Sequence, residues 1–321
     1  MPAVENVRLT LGAIVLGAFV AVALSGVVAV QAFLYFRTYR KDLTRVKLMV
    51  AAVWLLDAMH TCFVCYSAWY YVILNYGDVN VHDHIPITIA LTVAVTAAVT
   101  FITHVYFSHR VYKLSRNNAW LAAPLVALAV CRLTAALVTT AEMARLKSFK
   151  KYTASFSSVF TLGLALSSAI DVFITVAMCF YLQHSRTGFS NMDHVIDLIM
   201  IYTVNNGALT TFATIVSMIC WLAMPHNLIF MALHFGIAKL YANSLLGTLN
   251  TRNQLRGRSQ SSADRDHPMP VLFPDSYGRR LTRFQRSTGE VVSDPGKLQI
   301  NVEKTVHYDV DGDGVVSGES P

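Results

Sequence analysis

Seven long apolar stretches fill residues 9–249 of this 321-residue chain, and they leave few folds open to it. A helix that crosses the hydrocarbon core of a bilayer, about 30 Å thick, needs roughly 20 apolar residues. Backbone amides in hydrocarbon must be hydrogen-bonded within the protein, so runs of this length form helices, whereas barrel strands are shorter and alternate in polarity. The chain is therefore predicted to be an all-α, polytopic membrane protein, a seven-transmembrane-helix bundle. The predicted spans are residues 9–36, 46–74, 86–109, 119–141, 158–182, 195–222 and 225–249.

Charge is scarce and unevenly placed along the chain. Charged residues make up 14% of the sequence and hydrophobic residues 54%. Residues 252–321 hold ten of the 26 Lys and Arg and ten of the 19 acids, so the spans are poorer in charge than the average. The net charge of +7 therefore does not indicate a nucleic-acid partner. Composition predicts the lipid bilayer as the partner, in the plasma membrane or an endomembrane.

A cleavable secretory signal is the alternative interpretation of the first span, because Ala21-Val22-Ala23 has the small-x-small form of a cleavage site. However, the apolar run continues to Phe36, well beyond a signal core, and Glu5 accompanies Arg8 in the leading residues. A transmembrane first helix is the favoured interpretation.

The basic residues of the short connections predict an N-terminus outside and a C-terminus in the cytoplasm. The first, third and fifth connections and the start of the tail carry Lys or Arg, and all of them fall on one side of the membrane in this orientation. The fourth connection conflicts with it, since its basic residues would lie outside. These are Arg145, Lys147, Lys150 and Lys151.

Several polar and ionisable residues fall inside the spans, where burial in hydrocarbon makes each a candidate for function. Counted at 1.5 Å per residue, most lie about 15–20 Å from the predicted cytoplasmic edge, so a bundle could bring them together. We expect a buried polar layer in which Asp57 or Asp171 pairs with Arg132 or Lys239. Such a layer could bind a ligand or ion, or could only fix the helix register. Its predicted members are Asp57, His60, Arg132, Asp171, Asn205, Asn206 and Lys239.

Two further ionisable residues, His104 and Asp197, lie nearer the predicted cytoplasmic boundary. Water and snorkelling make such positions less costly, so they are weaker candidates.

The last three spans carry a set of motifs that resembles a known family. The motifs are SSAID at 167–171, SRTGF at 185–189, YTVNNGALTT at 202–211 and KLYANSLLGTLNTR at 239–252. This succession resembles a large family of fungal, mainly basidiomycete, membrane proteins, the domain-of-unknown-function 6534 family. The resemblance is close over residues 167–252, and the run at 239–252 is its most specific part, although Ala is commoner in the family at Gly247. It implies seven helices and a fungal source, and it implies no activity.

The chain after residue 252 differs in composition from the spans. Residues 1–252 are predicted to form the transmembrane domain, and residues 253–321, poor in apolar residues, a disordered cytoplasmic tail. Arg252, Arg256 and Arg258 are predicted to meet anionic lipid at the interface, and the tail could also bind a cytoplasmic partner.

Near the end of the tail, Asp309, Asp311 and Asp313 begin like a calcium loop. The pattern breaks because Ser320 stands at loop position twelve, so no metal site is predicted.

The number of spans and the predicted orientation favour a receptor-like or sensory protein. Ser108-His109-Arg110 stands after span three, where an Asp-Arg-Tyr motif would have supported this interpretation. A transporter or channel-like protein is the alternative, although the two halves of the chain show no inverted repeat.

Two enzyme-like or cofactor-dependent alternatives have weaker support. A retinal-binding protein would use the buried amine of Lys239, yet span three has no acidic counter-ion. A membrane metallohydrolase would use Asp57, His60, Asp171 and His234, yet no compact metal-ligand spacing is present. We therefore predict no enzyme activity, no catalytic residue and no cofactor.

Overall fold

The computed structural model describes residues 8–78, 81–186, 190–224 and 227–260. Within these residues seven long helices are each long and apolar enough to cross a membrane, so the predicted seven-helix bundle is confirmed. A π-helical turn, Arg8–Gly12, precedes the first helix, and another, Tyr70–Leu74, follows the second. The helices are α1 Ala13–Thr38, α2 Thr44–Trp69, α3 Ile87–Leu114, α4 Ala119–Leu146, α5 Phe149–His184, α6 Ser190–Ala223 and α7 Ile229–Gln260.

The helix boundaries differ most from the prediction where polar turns continue a helix beyond its apolar part. Helix α5 begins at Phe149 rather than residue 158, because the Ser148 side chain caps it by accepting a hydrogen bond from the Lys151 amide at 3.3 Å. Helix α7 continues to Gln260, so the first eight residues of the predicted tail are helical. Residues 261–321, including the calcium-loop-like aspartates, lie outside the described residues.

Helices α3 and α7 are the most enclosed members of the bundle. In their most apolar 18-residue stretches, 61% and 67% of the residues are buried, against 28–39% in the other five helices. Each helix packs against its neighbours in sequence, α1 also packs against α7, and α3 also contacts α5 and α7. Side chains directed from α3 and α7 into the bundle therefore meet several other helices.

Small residues allow two of these helix pairs to approach closely. A Cβ placed on Gly17 of α1 would lie 2.6 Å from the Cα of Ala232 on α7, closer than side chains pack. A Cβ on Gly207 of α6 would overlap the hydroxyl of Thr175 on α5. Backbone approach at small residues is a common basis of helix association in membranes.

One end of the bundle carries the ends of α1, α3, α5 and α7, and we call it the Arg252 side. At the opposite end the α2–α3 connection is joined to the start of α5 through Asp83. Its carboxylate accepts hydrogen bonds from the Lys150 amide and the Ser148 hydroxyl, both at 2.8 Å. Partial burial alone would raise the pKa of the Asp83 carboxyl, but these bonds and the charge of Lys150 outweigh it and lower the pKa below its ordinary value.

Candidate functional site

A buried ion pair joins α2 to α7 in the middle of the bundle. The Lys239 ammonium lies 2.8 Å from a carboxylate oxygen of Asp57, and these side chains are 0% and 2% exposed. Lys239 also donates to the Asp57 carbonyl at 2.9 Å and to the Thr61 hydroxyl at 2.6 Å. The Ser25 hydroxyl of α1 donates to the other Asp57 oxygen at 2.5 Å. The predicted acid–base pair is therefore present, and two further acceptors bind the ammonium beside it. We call Ser25, Asp57, Thr61 and Lys239 the Lys239 cluster.

A second buried cluster surrounds Asp171 on α5. Its carboxylate accepts a hydrogen bond from the Tyr241 hydroxyl of α7 at 2.6 Å and lies 3.0 Å from Nε2 of His104 on α3. His104, ranked as a weaker candidate because of its position near the boundary, thus binds the central acid. Tyr241 was not predicted, although it lies in the most specific motif of the chain, two residues after Lys239.

Arg132 of α4 belongs to the same cluster through a hydrogen bond to Ser167. Its Nε donates to the Ser167 hydroxyl at 3.3 Å, and that hydroxyl lies 3.3 Å from the Tyr241 hydroxyl. Among the residues that the structure describes, no carboxylate lies within 4 Å of its guanidinium, and Nη1 is buried without a hydrogen-bond partner. We call His104, Arg132, Ser167, Asp171 and Tyr241 the Asp171 cluster.

The single polar layer expected from helix depth is therefore two clusters. Lys239 and Tyr241 are two residues apart on α7, which turns their side chains about 200° apart around the helix axis. His60 belongs to neither cluster and shares a hydrogen bond of 3.2 Å with Thr96 of α3. Neither ring nitrogen of the buried His234 has a partner within the described part of the chain. Of the four residues predicted for a metallohydrolase, Asp57 and Asp171 thus lie in different clusters, and His60 and His234 lie in neither.

The two asparagines of α6 have different surroundings, which corrects the prediction that both join the layer. Asn205 is exposed on the outer face of the helix, whereas Asn206 is partly buried and lines a cavity. Successive helix residues point about 100° apart, so two adjacent side chains do not both face the bundle interior. Of the two residues, only Asn206 has the inward direction.

This cavity has a volume of about 30 Å³ and lies between α3, α5, α6 and α7. Asp171 and Tyr241 form part of its wall, so it adjoins the Asp171 cluster directly. The wall also carries hydroxyl and amide groups. They belong to Thr103, Thr175, Thr203, Asn206, Thr210, Ser244 and Thr248.

An aromatic cluster closes the bundle on the side of Asp171 away from Arg252. The ring centroids of Phe160 and Trp221 lie 4.9 Å apart, and those of Trp221 and Phe230 lie 4.7 Å apart. All three rings are buried. Phe160 precedes Asp171 by eleven residues of α5, a rise of about 16 Å. The aromatic cluster therefore lies farther from the Arg252 side than Asp171 does.

The end of α7 is bound to the α1–α2 connection through Arg252, whose predicted contact with anionic lipid stays a prediction. Its guanidinium donates to Asp42 in the α1–α2 connection at 2.5 Å and lies over the Tyr39 ring, 4.7 Å from its centroid. Tyr35 also donates to Asp42, at 3.0 Å. The Arg252 and Asp42 side chains are only 15% and 22% exposed. Arg256 and Arg258 lie in the last two turns of α7.

Comparison with protein families found a match in the second half of the chain. Residues 167–254 match a family described as "Family of unknown function (DUF6534)". Comparison with curated proteins found no match, and comparison with solved structures found none. The matched segment supplies Asp171, Lys239, Tyr241 and Arg252, whereas their partners Asp57, His104 and Asp42 lie in the first three helices and their connection. The match supports a domain of unknown function, and the seven apolar helices support a membrane protein, so the function must be argued from the two clusters.

Proposed function

We propose that this protein is a receptor-like seven-helix membrane protein in which α7 links the interior of the bundle to the Arg252 side. The observation that carries the proposal is the attachment of α7 by three carboxylates on three different parts of the chain. Asp57 of α2 binds Lys239, Asp171 of α5 binds Tyr241, and Asp42 of the α1–α2 connection binds Arg252.

These attachments couple distant levels of the bundle. Lys239 and Arg252 are thirteen residues apart, a rise of about 20 Å along one helix. A shift of α7 that separates Tyr241 from Asp171 would therefore strain the Asp42–Arg252 contact as well. If these contacts rearrange together, a binding event at one level of α7 can bias another level.

The proposed orientation places the N-terminus outside and the Arg252 side in the cytoplasm. It rests on the basic first and third connections and on Arg256 and Arg258, which extend α7 towards the predicted anionic leaflet. A cytoplasmic protein would then meet the end of α7 and the connections around it. The plasma membrane or an endomembrane is the proposed location.

A transporter is the second candidate, and the polar cavity beside Asp171 favours it. A transporter must open its central site to both sides in turn. The aromatic cluster of Phe160, Trp221 and Phe230 packs closely on one side of this site, and the Asp57–Lys239 charges neutralise each other. Both features fit a coupling role better than a permeation pathway.

The proposal can be tested by measuring a distance at the Arg252 side when α7 is released from Asp171. Spin labels would be attached at Ala119→Cys of α4 and His194→Cys of α6, both exposed positions, after replacement of the native cysteines. Double electron–electron resonance in nanodiscs would then measure the distance between the two labels. Tyr241→Phe should produce a second distance population. Tyr66→Phe, at an exposed tyrosine of α2, is the matched control and should leave the distribution unchanged.

Identical distance distributions for the wild type and Tyr241→Phe would reject the coupling role. Ion flux measured in proteoliposomes distinguishes the transporter, the second candidate, from the receptor. Flux of protons or sodium above that of empty vesicles would replace the receptor proposal with the transporter.

A further inference from the structure

The cavity beside Asp171 is of atomic rather than molecular size. Pockets that enclose organic ligands usually have volumes of about 300–1,000 Å³, whereas this cavity has about 30 Å³. One water needs about 10–15 Å³ of such space, so the cavity has room for about two waters or for one ion with a water. This volume limits a ligand in the cavity to the size of a single ion with a water.

Three of the five threonines in the wall present oxygen lone pairs to the cavity instead of protons. Thr103, Thr203 and Thr210 each donate their hydroxyl proton to a backbone carbonyl in the preceding turn of their own helix. The acceptors are the carbonyls of Val99 at 2.9 Å, Ile199 at 2.8 Å and Asn206 at 3.2 Å. A hydroxyl whose proton is used in this way can only accept on its free side. Such a wall suits a cation and disfavours an anion.

The carboxylate of Asp171 retains free coordination positions. Each of its oxygens has one contact, with His104 on one side and the Tyr241 hydroxyl on the other, while an ionised carboxylate has about four lone-pair sites. Nδ1 of His104 is buried and has no hydrogen-bond partner among the described residues, so the ring contacts Asp171 through Nε2 alone. Asp171 is the one acidic side chain among the residues that line the cavity.

One carboxylate surrounded by neutral oxygens matches a monovalent cation. Calcium sites in proteins usually combine several carboxylates with carbonyl oxygens and waters. We propose that the cavity beside Asp171 binds a monovalent metal cation of the size of sodium, with Asp171, Asn206 and the threonine hydroxyls as ligands. The role of this cation as the signal that the receptor detects rests on the function proposed above. The binding of the cation at Asp171 does not depend on that function.

The surrounding charges set how tightly a cation can bind. Arg132 of α4 is connected to Asp171 through Ser167 and Tyr241, and its positive charge opposes a cation. Lys239 pairs with Asp57 on the other face of α7. The residues that α6 contributes to the wall are uncharged. Asp171 is thus the group in direct contact with the cavity, and Arg132 reduces its attraction without reaching it.

Thermal unfolding of the full chain in nanodiscs at pH 8 tests the site, with NaCl compared against choline chloride at equal ionic strength. Sodium at a few times its dissociation constant should raise the unfolding midpoint by about 2–4 °C. Asp171→Asn should abolish the difference between the salts. Asn206→Ala should reduce it, and the matched variant Asn205→Ala, on the outer face of the same helix, should retain it in full.

No difference between NaCl and choline chloride in the wild type would overturn the site. Equal responses in Asn206→Ala and Asn205→Ala would also overturn it, and this comparison remains informative if Asp171→Asn fails to fold. A sodium-dependent midpoint, together with identical Ala119–His194 label distances in the wild type and Tyr241→Phe, would keep the site and reject the receptor. A midpoint that does not depend on sodium, together with a second distance population in Tyr241→Phe, would reject the site alone.

Discussion

Lys239 and Tyr241 lie two residues apart on α7 and bind acids on different helices, Asp57 of α2 and Asp171 of α5. Because their side chains point about 200° apart around the helix axis, α7 separates two buried clusters that lie at nearly the same depth. The stability of the bundle and its capacity to bind an ion can therefore be changed separately, through different faces of one helix.

Replacing Lys239 should destabilise the protein strongly. Lys239→Met leaves the Asp57 carboxylate buried without its cation, and breaking a buried pair in this way costs about 3–5 kcal/mol. The double variant Asp57→Leu with Lys239→Met removes both charges and should recover part of that loss. The free energy of unfolding in mixed micelles measures both effects. Lys151→Met, at an exposed lysine of α5, should change it by less than about 0.5 kcal/mol.

Apolar length was enough to predict the seven spans, and depth counting was enough to predict that Asp57 and Lys239 could meet. Depth does not give direction, which is why Asn205 was wrongly placed in the layer with Asn206. Distance from the predicted membrane edge also does not show which residues contact each other. His104 lies nearer that edge and yet binds Asp171.

The contacts that sequence reasoning missed join segments far apart in the chain. Asp42 and Arg252 are separated by 210 residues, and only the packing of α1 against α7 brings them together. The early start of α5 was missed for a different reason. Its first turns are polar and capped by Ser148, so a search for apolar length does not detect them.

Adding one methyl group at Gly207 should destabilise the contact between α5 and α6. The Cβ of Gly207→Ala would overlap the Thr175 hydroxyl, and overpacking of this kind typically costs about 1–3 kcal/mol. Gly26→Ala on α1 has nothing within 4 Å of the added Cβ and should be neutral or slightly stabilising. If the loss arises from this overlap, Thr175→Ala should restore the unfolding free energy of Gly207→Ala.

The Asp83 contact should make stability depend on pH in the acidic range. Its pKa is lowered in the folded protein, so ionised Asp83 stabilises the fold above the ordinary aspartate pKa of about 3.9. This stabilisation falls as the pH drops from about 3.9 through the lower folded pKa. The difference in unfolding midpoint between the wild type and Asp83→Asn should be constant near pH 6–7 and disappear in strong acid. A difference that grows on acidification would contradict the assignment.

Releasing the end of α7 should cost less than breaking the Asp57–Lys239 pair. Arg252→Gln removes a partly buried ion pair and the stacking on Tyr39, and charged hydrogen bonds of this type contribute about 1.5–3 kcal/mol. Arg252→Lys keeps the charge but loses the planar group that stacks on the ring, so it should recover only part of the loss. The free energy of unfolding should decrease in the order wild type, Arg252→Lys, Arg252→Gln. If Arg252→Lys were as stable as the wild type, charge alone would matter at this position.

Replacing Arg132 should strengthen sodium binding while it weakens the fold. Its guanidinium opposes a cation at Asp171 through electrostatic repulsion, yet its Nε contributes a hydrogen bond to Ser167. Arg132→Gln keeps a polar side chain for Ser167 and removes the charge. The sodium concentration that gives half of the rise in unfolding midpoint should therefore fall by about tenfold, as expected when an opposing interaction of about 1.4 kcal/mol is removed. A higher half-saturating concentration in Arg132→Gln would mean that Arg132 supports the cation site instead of opposing it, and the charge balance argued for Asp171 would be wrong.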